Sequence, residues 1–197
     1  MFLKNKLNFS VSFGKKFTLL LLLTALLLSF SGCYHEEITY DNPSDNSKII
    51  DLTEIREKES LEIFPKNIDK NNTDNYYFNW ELDFVGSASV EYFCSVKYNK
   101  DDYHAEIQRL ENFKAANTDE SLHYDESTFC FPAYVAVLGC YDTNAYALVD
   151  ENEHTIHYIY ISLVRKNQLK LDNAYLPDGY TDLGNVNGQS YSICSKL

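Results

Sequence analysis

The sequence predicts an α+β fold: an antiparallel sheet of about five strands, in β-β-α-β-β-β order, with one main helix packed on one face. Three observations predict it. Two neighbouring runs, Tyr76–Phe84 and Ser87–Tyr98, alternate apolar and polar residues with the period of a strand. Asp102–Ala115 repeats its apolar residues with the period of a helix. Between Ala133 and Val164, three apolar runs are separated by short polar turns, as in a meander. A helix set among such strands buries its stripe against the sheet.

In the second run Ala88, Val90, Tyr92, Cys94, Val96 and Tyr98 share one face, while Ser89, Glu91, Ser95 and Lys97 share the other with Phe93. So clean a split predicts one covered and one wet side. Val85-Gly86 turns between the two runs. Asp101-Asp102 supply an N-cap and negative charge for the helix. Its stripe is Tyr103, Ile107, Leu110 and Phe113 or Lys114, with Glu106 and Arg109 outside it. Phe129–Tyr141 becomes a strand from Ala133, with Pro132 at its start, where proline is tolerated. Asp142-Thr143-Asn144 turns into Ala145–Val149, and Asp150–Glu153 turns into Thr155–Val164. In that last run Tyr158 and Tyr160 oppose Ile159, Ile161 and Leu163, which puts an aromatic pair outside. Ahead of the sheet, Ile49–Glu62 reads as a short helix stopped by Pro65, and Asn67–Asn75 as a polar loop. The tail, Arg165–Leu197, is weakly patterned around the turn Pro177-Asp178-Gly179.

The 197 residues carry 17 Lys+Arg against 29 Asp+Glu, a net charge of −12. Residues 1–32 hold four of the lysines and no acid, so the remaining 165 residues have 13 bases against 29 acids, a net of −16. Nucleic-acid binding, which needs Lys and Arg against phosphates, is a poor fit. A basic face for anionic lipid is equally absent from the composition.

Phe17–Phe30, FTLLLLLTALLLSF, spans about 21 Å as a helix, short of the roughly 30 Å hydrocarbon core. Lys15 and Lys16 precede it and Ser31-Gly32-Cys33 follow, the layout of an export signal. Phe30-Ser31-Gly32-Cys33 resembles the lipobox of bacterial lipoproteins, in which the cysteine becomes the lipidated first residue of the mature chain. Gly32 and Ser31 match the family's −1 and −2 positions, whereas Phe30 stands where leucine is usual. The resemblance covers only residues 1–33. It implies a signal peptide over 1–32, acyl chains (palmitate among them) on Cys33, and a cell-membrane location facing the extracytoplasmic side. Residues 33–48, rich in Asn, Asp, Ser and Glu, read as a flexible polar tether, and 49–197 as a single acidic domain. That domain is similar in texture to small uncharacterised lipoproteins of low-GC Gram-positive bacteria, a likeness that brings no activity.

Cys94, Cys130, Cys140 and Cys194 remain, enough outside the cytoplasm for two disulfides in any of three pairings. No C-x-x-C suggests zinc or a redox pair. His154 and His157 lie three apart, on opposite faces of a strand, and do not converge on one metal. The acidic turn at 150–153 and the pair Asp101-Asp102 lack the alternation and glycine of a calcium loop. Gly184–Gly188 is followed by neither Gly-Lys-Ser/Thr nor a helix, so it is no phosphate loop. No catalytic motif appears and no cofactor is expected.

All sixteen tyrosines follow Cys33, and Trp80 lies beside Tyr76, Tyr77 and Phe78. Such residues fill half-exposed sheet faces and also serve binding surfaces. The function expected is therefore a non-enzymatic binding module at the membrane, held by lipid on Cys33 and engaging a peptide, protein or glycan. The alternative is an extracytoplasmic hydrolase using paired carboxylates. A deep pocket with two facing carboxylates favours the second; a grooved or aromatic surface favours the first.

Overall fold

The computed structural model describes residues 36–50, 55–82, 86–117, 124–181, 185–186 and 191–192. All belong to the unit Glu36–Leu197. Residues 1–32, expected to form the signal peptide, and Cys33, Val85 and Cys194 lie outside the described residues.

Alternation and turn chemistry build the strands β1 (Glu36–Tyr40), β2 (Thr73–Leu82), β3 (Ala88–Lys97), β4 (Ala133–Cys140), β5 (Thr143–Asp150), β6 (Thr155–Ser162) and β7 (Tyr191–Ser192). They form one antiparallel sheet in the order β1-β2-β3-β6-β5-β4-β7. The hairpin β2–β3 and the meander β4–β5–β6 are joined where β3 pairs with β6, with Tyr92 opposite Tyr160 and Ser95 opposite His157. The α+β class holds. The sheet is wider than the five strands expected, with β1 and the two-residue β7 at its edges. Among the described residues no helix is long and apolar enough to cross a membrane.

β1 corrects the expected tether. Glu36–Tyr40 pairs with β2, setting Ile38 against Trp80 and Tyr40 against Phe78, with the Tyr40 and Phe78 rings stacked at 5.7 Å. Only two apolar residues mark this strand, and two asparagines that follow it serve as hydrogen-bond acceptors. Asn42 Oδ1 accepts from Ser44 N, and Asn46 Oδ1 accepts from the Tyr92 hydroxyl at 2.6 Å. The expected helix over 49–62 is also replaced: α1 covers Asn46–Ile50 and a 3-10 turn covers Lys58–Ile63. Glu57 adopts a left-handed φ of 47°, which an α-helix cannot accommodate.

The main helix, α2, runs Lys100–Asn117. Its cap is Asn99 rather than Asp101-Asp102: Asn99 Oδ1 accepts from Asp101 N and Asp102 N, while the two aspartates meet the helix dipole. The buried stripe is Tyr103, Glu106, Leu110 and Phe113, at successive i+3 and i+4 steps. Glu106 is thus inside the stripe, contrary to its residue type. The hairpin between β4 and β5 turns at Tyr141-Asp142, both with positive φ (49° and 58°), one residue before the turn read from sequence. Cys140 faces Thr143 across it.

α2, residues 43–50 and residues 55–64 cover one side of the sheet, the helix face. Tyr92, Tyr158 and Tyr160 point there and are fully buried, so no aromatic pair of β6 is outside. The opposite side was expected to be wet and is covered as well. Residues 165–180 cross it, and Glu91 Oε1 accepts from the backbone N–H of both Lys170 and Leu171 at 2.8 Å. Glu91 and Ser95 are buried there beside Ile159 and Ile161. Glu91 thus pairs with the tail's backbone and Ser95 with His157, as buried polar atoms must.

Candidate functional site

A groove of about 760 Å³ opens on the helix face between α1, residues 58–66 and the C-terminal half of α2. Phe64 and Tyr92 form its floor, stacked with centroids 4.3 Å apart and planes 14° apart. Ile49, Leu61, Pro65 and Phe113 add apolar wall, and Lys58, Glu59, Glu62 and Lys66 set charges of both signs around the mouth. Its volume lies within the range of small-molecule and side-chain pockets.

One side chain fixes the wall. Arg109 donates from Nε and Nη2 to both oxygens of Glu106 at 2.9 and 2.7 Å. It also donates to the carbonyls of Glu62 and Ile63 at 3.0 and 2.6 Å. The guanidinium therefore caps carbonyls that the end of the 3-10 turn leaves without partners. Burial works against the Arg109 charge, but the bonds to Glu106 outweigh it and hold its pKa above the ordinary value. Glu106 in turn accepts from the Tyr158 hydroxyl. With that proton committed, Tyr98 is the donor in the 3.0 Å contact between the Tyr98 and Tyr158 hydroxyls. The chain from Tyr98 to Glu62 ties β6, α2 and the groove wall into one network.

The opposite, loop face holds a smaller cleft of about 260 Å³, lined by Asn75, Phe93, Ser95, His157, Lys170, Asp172 and Tyr175 among others. Ser95 Oγ lies 2.8 Å from His157 Nδ1. Tyr175 and Phe131 flank the imidazole at 4.6 and 5.9 Å between centroids. Burial lowers the pKa of His157, so the ring is neutral at pH 7. Burial likewise raises Glu91, against the pull of its two backbone bonds. The Lys170 ammonium sits 4.2 Å from the centre of the Tyr77 ring.

The chain matches no family model, no curated protein and no solved structure. The site must therefore be read from its own chemistry.

The residues singled out from sequence fall in several places. Cys94 is buried on β3, where burial pushes its thiol up and out of reactive range. Cys130 is exposed before β4, its thiol donating to the Ala174 carbonyl, and Cys140 ends β4. No disulfide joins any two of these three. Cys94 and Cys140 stand on strands three spacings apart, which alone separates them by at least about 14 Å, beyond the roughly 7 Å Cα limit of a disulfide. His154 occupies the β5–β6 turn against Tyr103, at 4.8 Å between centroids, whereas His157 faces the cleft. Among the described residues no group of three His, Cys, Asp or Glu is placed to hold a metal. The sequence reading missed both Arg109 and the Ser95–His157 pair. The first carried a signal in its i, i+3 spacing from Glu106. The second depends on β3 pairing with β6, which alternation alone does not specify.

Proposed function

We propose that this chain is a lipoprotein held by lipid on Cys33 at the extracytoplasmic face of a cell membrane. Its domain, in this reading, is a non-enzymatic binding module whose groove takes an apolar side chain of a peptide or protein. The observation that carries the proposal is the groove over Phe64 and Tyr92, an apolar floor ringed by two lysines and two glutamates. Charges of both signs around an apolar floor suit a peptide segment with an aliphatic or aromatic anchor and charged neighbours. A wall pinned by Arg109 needs little ordering when a ligand arrives, which favours affinity.

The hydrolase alternative draws less support. It asks for two carboxylates facing each other across a pocket. The buried carboxylates among the described residues are Glu91 and Glu106. Glu91 lies on the loop face, bound to tail backbone, and Glu106 lies on the helix face, bound to Arg109. The sheet stands between them.

Selection of peptides from a random displayed library against the protein tests the reading. Enriched peptides should share an aliphatic or aromatic anchor. Ala116→Trp, at an exposed groove position on α2, should weaken their binding at least tenfold while leaving the fold intact. A library that yields no binders, or binders indifferent to Ala116→Trp, would count against the groove.

A further inference from the structure

The cleft on the loop face is a different kind of space from the groove, and the sheet separates the two. Three of its features combine. The first is size: about 260 Å³ is room for about nine water molecules at about 30 Å³ each, enough for one small ring with its substituents and below the usual range for drug-sized ligands. The second is polarity. Asn75, Ser95 and neutral His157 supply donors and acceptors without charge, and Lys170 and Asp172 add one charge of each sign. A cleft for an anion or a cation would present one sign. The third is apolar surface at the edge: the half-buried rings of Phe93 and Tyr175 offer flat carbon faces beside these polar groups.

The walls are also fixed in advance. Ser95 and His157 hold each other across the β3–β6 ladder at 2.8 Å. Glu91 clamps the facing lip through the N–H groups of Lys170 and Leu171. Asp172, an exposed residue in the cleft lining, is itself held by Oδ1, which accepts from Ala174 N at 2.9 Å.

We propose that this cleft binds one ring of a saccharide, its hydroxyls meeting Asn75, His157, Lys170 and Asp172 and its carbon face resting on Tyr175 or Phe93. A polyhydroxyl ring requires the mixture found here: donors and acceptors at close quarters, little net charge, and an aromatic surface. The assignment is independent of the groove, because the two sites lie on opposite faces.

Saturation-transfer NMR on the intact protein, with glucose, galactose, mannose and N-acetylglucosamine as probes, tests the proposal. At least one sugar should receive magnetisation from the protein. Asn75→Ala, at an exposed position of β2, and Asp172→Asn, which keeps the oxygen that caps Ala174, should each weaken that binding about fivefold. That is the effect of one hydrogen bond of about 1 kcal/mol. Ala116→Trp, across the sheet, should leave it unchanged. The saccharide assignment is overturned if none of the four sugars shows transfer, or if both cleft variants bind as the parent does. It is also overturned if glycine, a zwitterion matched to Lys170 and Asp172, binds the cleft and the sugars do not.

Discussion

Glu106 shows how position outranks residue type. Its place in the buried stripe of α2 follows from helical spacing, three residues after Tyr103 and four before Leu110. Read by type, it belonged to the wet side. Burial is supported because Arg109 and the Tyr158 hydroxyl together satisfy the carboxylate. Removing one partner of such a pair costs more than the pair contributes. Glu106→Ala should therefore lower stability by about 2–3 kcal/mol in urea unfolding at neutral pH, toward the low end for buried pairs because Arg109 keeps some access to water. Replacing Glu106 and Arg109 together by Leu and Met should cost less than Glu106→Ala alone. A double variant less stable than the single would show that the charges are not what matters. The pairing itself was legible in the spacing from Glu106 to Arg109; its depth was not, because depth depends on which tyrosines β6 presents.

At the scale of elements, alternation located β2, β3, β4, β5 and β6 to within a few residues, since each carries at least four apolar positions. It passed over β1, whose Ile38 and Tyr40 are too few to stand out from polar neighbours. A tether and an edge strand have similar composition here, and only pairing distinguishes them. The difference is measurable. Ile38→Asp places a charge beside Trp80 and should cost about 1–2 kcal/mol, as cross-strand contact and apolar burial are lost. It should also shift the emission of Trp80. A loss below about 0.5 kcal/mol, the usual scatter of surface substitutions, would return residues 36–40 to the tether. The tail over the loop face was illegible for a different reason. Its 3-10 turns have no periodic signature, and Glu91 secures it by bonds to backbone, which any sequence supplies.

For the molecule as a whole, the sequence separates a basic, leucine-rich stretch expected to direct export from a more acidic remainder, and the lipid on Cys33 is the attachment proposed for it. Residues 33–197 carry −16, a charge repelled by anionic lipid, so under that proposal retention rests on acyl chains, each buried methylene contributing about 0.8 kcal/mol. Cys33→Ala should move the protein from the membrane fraction to the medium, or block its maturation, as fractionation and intact mass would report. Unchanged membrane association would refute lipid attachment at Cys33. The groove and cleft were beyond sequence reading at this scale because each is assembled from segments distant in the chain.

The ladder between β3 and β6 has a consequence for how the molecule comes into being. Among the described residues, the hairpin β2–β3 and the meander β4–β6 are each contiguous in sequence, and β3–β6 is the strand ladder that unites them. Pairing so distant in the chain is entropically expensive and slow to nucleate. The halves are therefore expected to form first and to zip together last. Ser95 stands on one side of that seam and His157 on the other, so the cleft exists only in chains that have completed the final step.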